Sequence, residues 1–255
     1  MDSGFPVIPD RAVFLADAHL GADDIHARTF LLLARKAAAE RTALFLLGDI
    51  FDLWFGAPSL TFGFQAPIIE ELRNLHRGGL QLYYVEGNRD FYLKKYYEGS
   101  LFDAVAEDDM RASVGPFRLF LSHGDVVNTA DLAYRFWKAV SKNRYAFGAA
   151  SRIPASLFLP MSERVERALK PTNPRFRGRF PETQCREFAQ RRFAAGADFV
   201  ILGHFHDEHV IPFAQENSPR VLAVLPAWRE AWRHFYLTSD GDYGMRTFRE
   251  DAPLA

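Results

Sequence analysis

The chain has 255 residues, 48% of them hydrophobic and 25% charged, which suits a soluble globular protein large enough for one α/β domain carrying an insertion. Its 31 Lys and Arg against 32 Asp and Glu leave a net charge of −1, so the basic excess of a dedicated nucleic-acid binder is missing and nucleic acid is not an expected partner. A single cysteine, Cys185, excludes an intrachain disulfide and fits a reducing compartment, while neither a leader-like N-terminus nor a run of roughly 18 apolar residues points away from the cytoplasm.

Short apolar runs alternate with helical patterns along the first third. Ala12–Ala16 reads as a buried strand, 24–40 as a helix, Ala43–Leu47 as a strand, Pro67–Arg77 as a helix ended by Gly78-Gly79, and Leu80–Val85 as a third strand. This β-α-β-α-β rhythm predicts parallel strands with crossover helices. Further strands are expected near Ala104, at Arg111–Val114 and at Phe117–Leu121. Residues 131–170 are helical in pattern, rich in aromatic residues and broken by prolines, and a basic connector, 171–181, follows them. Together these suggest a helical cap and connector at about 130–180 inserted into a single 1–255 domain. A helix at Glu182–Ala194 then precedes strands at Phe199–Leu202, near Val210, and at Val221–Leu225, His234–Leu237 and Met245–Phe248.

Five polar blocks fall where apolar strands end. They are Asp17-Ala18-His19, Gly48-Asp49-Ile50-Phe51-Asp52, Gly87-Asn88-Arg89-Asp90, Ser122-His123-Gly124-Asp125 and Gly203-His204-Phe205-His206. Ligands in parallel α/β sheets bind beyond the carboxyl ends of strands, so these loops should converge on one crevice. Carboxylate, imidazole and amide donors together suit Mn2+, Fe or Zn2+ better than metals that favour thiolates. Two such ions would activate water and clamp the departing oxygen of an in-line displacement, and Asp49, central in its block, is the candidate to bridge them. Asp52 and Asp90 close their blocks and read as residues that orient ligands or cap local turns. His26, His76, His209 and His234 lie outside the blocks and read as surface or core residues.

The blocks resemble the pattern D-x-H, G-D-x-x-D, G-N-H-D, G-H and G-H-x-H of the calcineurin-like metallophosphoesterases, in order, from Asp17 to His206. The resemblance implies an α/β fold, a four-layer α/β/β/α metallophosphoesterase sandwich around two divalent ions, here with the inserted helical cap. It also implies that Asp17, His19 and His206 hold one ion, that Asn88, His123 and His204 hold the other, and that Asp49 bridges both. Asp49, Asn88, Arg89 and His123 are the expected catalytic residues.

One block departs from the general pattern, with Arg89 where most members place histidine. Guanidinium is always charged and holds phosphate oxygens bidentately but is a poor proton donor, so Arg89 is expected to stabilise charge rather than to protonate. G-N-R-D, together with D-x-H-L-G at Asp17–Gly21 and G-D-I-F-D-x-W-F at Gly48–Phe55, resembles a narrower group, the UDP-2,3-diacylglucosamine diphosphatases of lipid A synthesis. That resemblance implies a nucleotide-linked acylated sugar as substrate, cleaved at its pyrophosphate to UMP and 2,3-diacylglucosamine 1-phosphate, usually with Mn2+. The place implied is the cytoplasmic face of the inner membrane, with the protein peripheral there and no obligate protein partner.

Within this group's pattern Asp131 and Tyr134 stand at matching positions and, with Asn88, Arg89, Arg175 and Arg177, form the expected substrate-binding set. Arg191 and Arg192 are further candidates for phosphate or anionic headgroups. The chain departs from the group after His206, where Asp207-Glu208 replaces the usual Arg-Pro, and its connector lacks the usual lysine. Two other readings stay open: a phosphodiesterase for a soluble nucleotide, and a metal-binding scaffold without catalysis.

Overall fold

In a computed structural model the described residues are 5–21, 25–127, 180–214 and 219–255. The expected cap and connector, with Asp131, Tyr134, Arg175 and Arg177, lie outside the described residues.

Strands are β1 (Val7–Ile8), β2 (Arg11–Leu15), β3 (Ala43–Leu46), β4 (Trp54–Phe55), β5 (Leu82–Val85), β6 (Asp90–Phe91) and β7 (Ala104–Ala106). After these come β8 (Asp109–Val114), β9 (Phe117–Ser122), β10 (Phe199–Leu202), β11 (His209–Phe213), β12 (Arg220–Val224), β13 (Arg233–Thr238) and β14 (Tyr243–Thr247). Helices are α1 (Ile25–Ala39), α2 (Gln65–Arg77), α3 (Leu93–Tyr97), α4 (Glu182–Ala194) and α5 (Trp228–Ala231).

Two six-stranded sheets form, one ordered β14-β13-β2-β3-β5-β7 and the other β1-β8-β9-β10-β12-β11. The β2-β3-β5-β7 run is parallel, as the β-α-β rhythm predicts, and β9-β10-β12 is parallel in the second sheet. Antiparallel hairpins close the second sheet at β8-β9 and β11-β12, and β13 runs antiparallel to β2 in the first.

Strand alternation explains the layering. Phe14, Phe45 and Tyr83 point from the first sheet toward Leu119, Leu121, Phe199 and Ile201 of the second, and this apolar cluster fills the space between the sheets. Phe14 stacks on Phe45 with centroids 5.0 Å apart, and Phe45 on Tyr83 at 4.6 Å. The intervening residues Val13, Leu15, Leu44, Leu46 and Tyr84 face the other way, against α1 and α2. Helix α1 meets them with Phe30, Leu33, Ala34 and Ala37, the stripe expected at 3.6-residue spacing. On the far side α4 covers the second sheet through Cys185, Phe188, Ala189 and Phe193. The order helix, sheet, sheet, helix is the four-layer sandwich that the resemblance of the polar blocks implies.

Element positions follow the hydrophobic pattern closely, and the small differences have local causes. The third strand begins at Leu82 rather than Leu80, because Leu80 N–H closes the end of α2 on the Leu75 carbonyl. The two-residue strands β4 and β6 pair in parallel, Trp54 with Asp90 and Phe55 with Phe91. Strands this short carry no readable period, yet this pairing ties the Gly48 block to the Gly87 block.

Candidate metal centre

All five polar blocks follow strands, and they come from both sheets. Asp17 follows β2, Asp49 follows β3 and Asn88 follows β5 in the first sheet, while His123 follows β9 and His204 and His206 follow β10 in the second. The site therefore spans the open end of the sandwich. Backbone hydrogen bonds bind the loops together: Asp17 N–H donates to the Gly48 carbonyl, and His19 N–H to that of Asp49, each at 3.1 Å. Across the sheets, His204 N–H donates to Asp17 Oδ2 at 2.8 Å.

These loops adopt backbone conformations that L-residues avoid. Asp17, His19, Asp49, His204 and His206 all have positive φ, between 43° and 72°. Each such residue costs on the order of 1–3 kcal/mol and persists only where surrounding structure imposes it. Gly48 and Gly87 allow the close approach: a Cβ on Gly48 would lie 2.6 Å from His123 Nδ1, and one on Gly87 would lie 2.3 Å from Asp49 Oδ1.

Donor atoms converge in two overlapping groups. Asp17 Oδ1 lies 3.2 Å from His206 Nε2 and 3.8 Å from His19 Nε2, and the two histidine nitrogens are 3.3 Å apart. Ligands held about 2.1 Å from a divalent ion stand roughly 3.0–3.4 Å from one another, so this spacing fits such an ion. In the second group Asn88 Oδ1 lies 3.0 Å from His123 Nε2 and 3.1 Å from His204 Nδ1, and Asp49 Oδ2 lies 3.8 Å from His123 Nε2. Asp17, Asp49 and His123 are all buried and also share one potential ion position.

His123 gives a chemical test of the fit. Its Nδ1–H donates to the Leu47 carbonyl at 2.8 Å, which leaves Nε2 of a neutral ring with only a lone pair to offer. That lone pair faces the amide oxygen of Asn88, itself an acceptor. A divalent cation between them would satisfy both acceptors at once, so the donor set fits a divalent metal.

Electrostatics follow from crowding charges in a buried space. Burial alone would raise the Asp17 carboxyl, but the hydrogen bond from His206 and the neighbouring histidines prevail and hold it well below the usual carboxylate range. For His123, burial works against the charged form and the carboxylates of Asp49, Asp17 and Asp125 overcome it, so its pKa rises. His204 is pushed down to about 4, first by burial and then by the charge of His123. His206 is raised, the Asp17 hydrogen bond and charge outweighing its burial.

The residues behind the donors hold them in place. Asp90 Oδ2 accepts the backbone N–H groups of Asp49 at 3.0 Å and Gly87 at 2.7 Å, and the Tyr84 hydroxyl at 2.9 Å. Burial and the nearby Asp49 charge push Asp90 up to about 7. Asp52 Oδ1 lies 3.5 Å from both His19 Nδ1 and Arg89 Nη1. Arg89 also donates from Nη1 to the Asp52 carbonyl at 3.2 Å and lies 3.5 Å from Asp49 Oδ2 through Nε.

Of the sequence-predicted set, Asp17, His19, Asp49, Asn88, Arg89, His123, His204 and His206 are brought together. Arg192 is not: its guanidinium packs over the rings of Phe120 and Phe188, with centroids 4.3 and 4.7 Å away. Arg191, on the same helix, is exposed. Sequence reasoning missed Tyr84, a buried strand residue by pattern, and Arg229, whose Nη1 donates to the His19 carbonyl at 2.7 Å. Arg229 follows the carboxyl end of the parallel strand β12, and that position was the available signal.

A two-sheet sandwich with carboxylate, imidazole and amide donors gathered at its strand ends defines a metal-dependent phosphoric ester or anhydride hydrolase. The calcineurin-like phosphoesterase family matches residues 11–208, and the chain belongs to that family. Among curated relatives, a UDP-2,3-diacylglucosamine hydrolase from Chromohalobacter salexigens is 28% identical over 219 residues, covering 85% of this chain and 88% of the relative. Proteins with the same name from Vibrio vulnificus and Pseudomonas putida are 25% and 26% identical, covering 90% and 86% of this chain and 94% and 92% of the relatives.

Proposed function

We propose that the chain hydrolyses the pyrophosphate bond of UDP-2,3-diacylglucosamine, releasing UMP and 2,3-diacylglucosamine 1-phosphate. The observation that carries this reading is an intact seven-donor cluster in a chain aligned nearly end to end with hydrolases of that name. Asp17, His19 and His206 would hold one divalent ion, Asn88, His123 and His204 the other, and Asp49 would contact both. Mn2+ suits the mixed oxygen and nitrogen donors. Two divalent cations, when bound, supply Lewis acidity toward phosphorus and an activated water.

The remaining chemistry belongs to the chain. Arg89, half-buried beside Asp49 and Asp52, presents a permanent cation to the phosphoryl oxygens as charge builds on them. It keeps its protons, and the departing phosphate is too weak a base to need one. Asp90 holds the Asp49 and Gly87 backbone, and through it the geometry of two donor loops.

The insertion at 130–180, with Asp131, Tyr134, Arg175 and Arg177, would cover the site and meet the sugar, acyl and phosphate groups. Its aromatic content supports this, since each buried methylene of an acyl chain contributes about 0.8 kcal/mol. The protein would act from the cytoplasm at the inner-membrane surface. Among the described residues no helix is long and apolar enough to cross a membrane.

The test uses protein stripped of metal, resupplied with Mn2+ and given UDP-2,3-diacylglucosamine while UMP release is followed. Mn2+-dependent release that disappears in Asp49→Ala supports the reading. Cleavage of a generic phosphodiester without release of UMP from the lipid would move the substrate to soluble nucleotides.

A further inference from the structure

Strand β12 lies parallel to β10, so its carboxyl end opens on the same edge as His204 and His206. The chain leaves β12 through 225–227 and turns into α5. Ala227 bridges Ala16, and the Trp228 N–H donates to the Ala16 carbonyl at 3.1 Å. Trp228 is fully buried, and the Trp232 indole N–H donates to His26 Nδ1 at 3.0 Å. Helix α5 is thus anchored at both ends, one residue away from the loop that begins with Asp17.

Arg229 lies between these anchors. Its Nη1 donates to the His19 carbonyl at 2.7 Å, yet the residue is exposed. His19 belongs to the Asp17–His19–His206 group, where a dication would be held. On its side-chain side, the same histidine shares Asp52 Oδ1 with Arg89. Two guanidinium groups therefore meet one candidate ligand, Arg89 by way of Asp52 and Arg229 at the backbone carbonyl. A diphosphate carries two linked phosphoryl groups, each able to receive a guanidinium fork.

We propose that Arg229 binds the second phosphoryl group of a diphosphate substrate, and so makes the site select diphosphates over esters with a single phosphorus. This deepens the phosphohydrolase reading above and rests on it.

The experiment uses the full chain loaded with Mn2+, as wild type, Arg229→Ala and Arg229→Lys. Substrates are UDP-2,3-diacylglucosamine and bis(4-nitrophenyl) phosphate, and UDP-glucose and UMP compete against the second. Losing a charge-assisted contact should raise KM for the lipid about tenfold in Arg229→Ala while kcat changes less than about twofold. Arg229→Lys, which keeps the charge without the fork, should recover part of that loss. Inhibition by UDP-glucose should weaken about tenfold and inhibition by UMP should hold. An equal loss on both substrates would overturn the proposal, because it would mean that Arg229 merely supports the His19 loop. An unchanged KM for the lipid would overturn it too. A wild type inert toward the lipid would sink the lipid assignment alone, and the comparison of UDP-glucose with UMP would then decide Arg229. Equal inhibition by those two in wild type would end the proposal.

Discussion

Asp90 Oδ2 accepts the backbone N–H of Asp49 at 3.0 Å, so the last residue of the Gly87 block holds the candidate bridging residue of the Gly48 block. The same oxygen also takes the Gly87 N–H and the Tyr84 hydroxyl, and all of this is buried. Asp90→Ala leaves three buried donors without that acceptor, each worth about 1–3 kcal/mol when orphaned. Urea unfolding should register a loss of at least about 3 kcal/mol. Asp90→Asn retains one acceptor oxygen and should lose clearly less. Equal losses in the two variants would contradict this account of the oxygen.

Gly87 has no room for a side chain. A Cβ there would stand 2.3 Å from Asp49 Oδ1 and 2.9 Å from the Asp49 backbone nitrogen. Gly87→Ala must move either Asp49 or the Asn88 loop, and misplacement by about 1 Å costs on the order of a hundredfold in rate. The expected result is a large fall in kcat on any phosphoester, with folded protein by circular dichroism. An alanine variant with wild-type kcat would show that the loop yields without affecting the chemistry.

Metal should stabilise the fold through the donor cluster. At a concentration one hundred times the dissociation constant, a bound ion adds about 2.7 kcal/mol. For a chain of 255 residues that is about 5–10 °C in melting temperature. Differential scanning fluorimetry with and without Mn2+ should show such a rise for wild type and a clearly smaller one for His206→Ala, which removes one donor from the Asp17–His19–His206 group. A full rise in His206→Ala would place His206 outside the ion's ligands.

Arg89 is expected to act on the transition state more than on binding. Arg89→Ala should lower kcat about a hundredfold on phosphodiester and lipid alike, the scale of losing one charge-stabilising donor. Arg89→His tests the departure from the general family pattern. Unchanged turnover of the lipid by that variant would show that a guanidinium has no special role at this position.

His234 should govern acid stability away from the site. It is buried on β13, its Nε2–H donates to the Leu254 carbonyl at 3.0 Å, and its pKa is driven down to about 4, first by burial. The unfolded chain binds the proton near pH 6.5, so between that value and 4 the unfolded state takes up more protons. Stability from the neutral ring is therefore complete above about pH 6.5 and is lost as pH falls toward 4, by up to about 3 kcal/mol. His234→Gln should flatten this part of the stability curve in urea titrations at a series of pH values. A curve as steep as that of wild type would assign the acid sensitivity to other groups.

Much of this protein was legible before any coordinates. The helix Glu182–Ala194 and the strand Phe199–Leu202 lie where the apolar spacing predicts them, because the stripe of Cys185, Phe188, Ala189 and Phe193 needs only local sequence to be seen. The polar blocks were visible for a related reason: each interrupts an apolar strand with acids, amides or histidines beside a glycine. The pairing of Trp54–Phe55 with Asp90–Phe91 was not, since two-residue strands have no period to read. Arg192 misled for a physical reason, its long stem and flat guanidinium being as well suited to covering Phe120 and Phe188 as to meeting an anion.

By itself the sequence determined the chemistry on offer: which donors exist, that each block ends a strand, and that the Gly87 block carries a fixed cation, Arg89. Only the tertiary structure decided which donors share a point in space. His123 and Asn88 stand 35 positions apart and Asp17 and His206 stand 189 apart, yet their atoms meet at 3.0 and 3.2 Å. What brings them there is burial of the apolar faces between the two sheets, a long-range effect that no local pattern encodes. The same packing forces five of the donors into left-handed backbone and puts Arg229 against His19, because strand ends from both sheets open on a single edge.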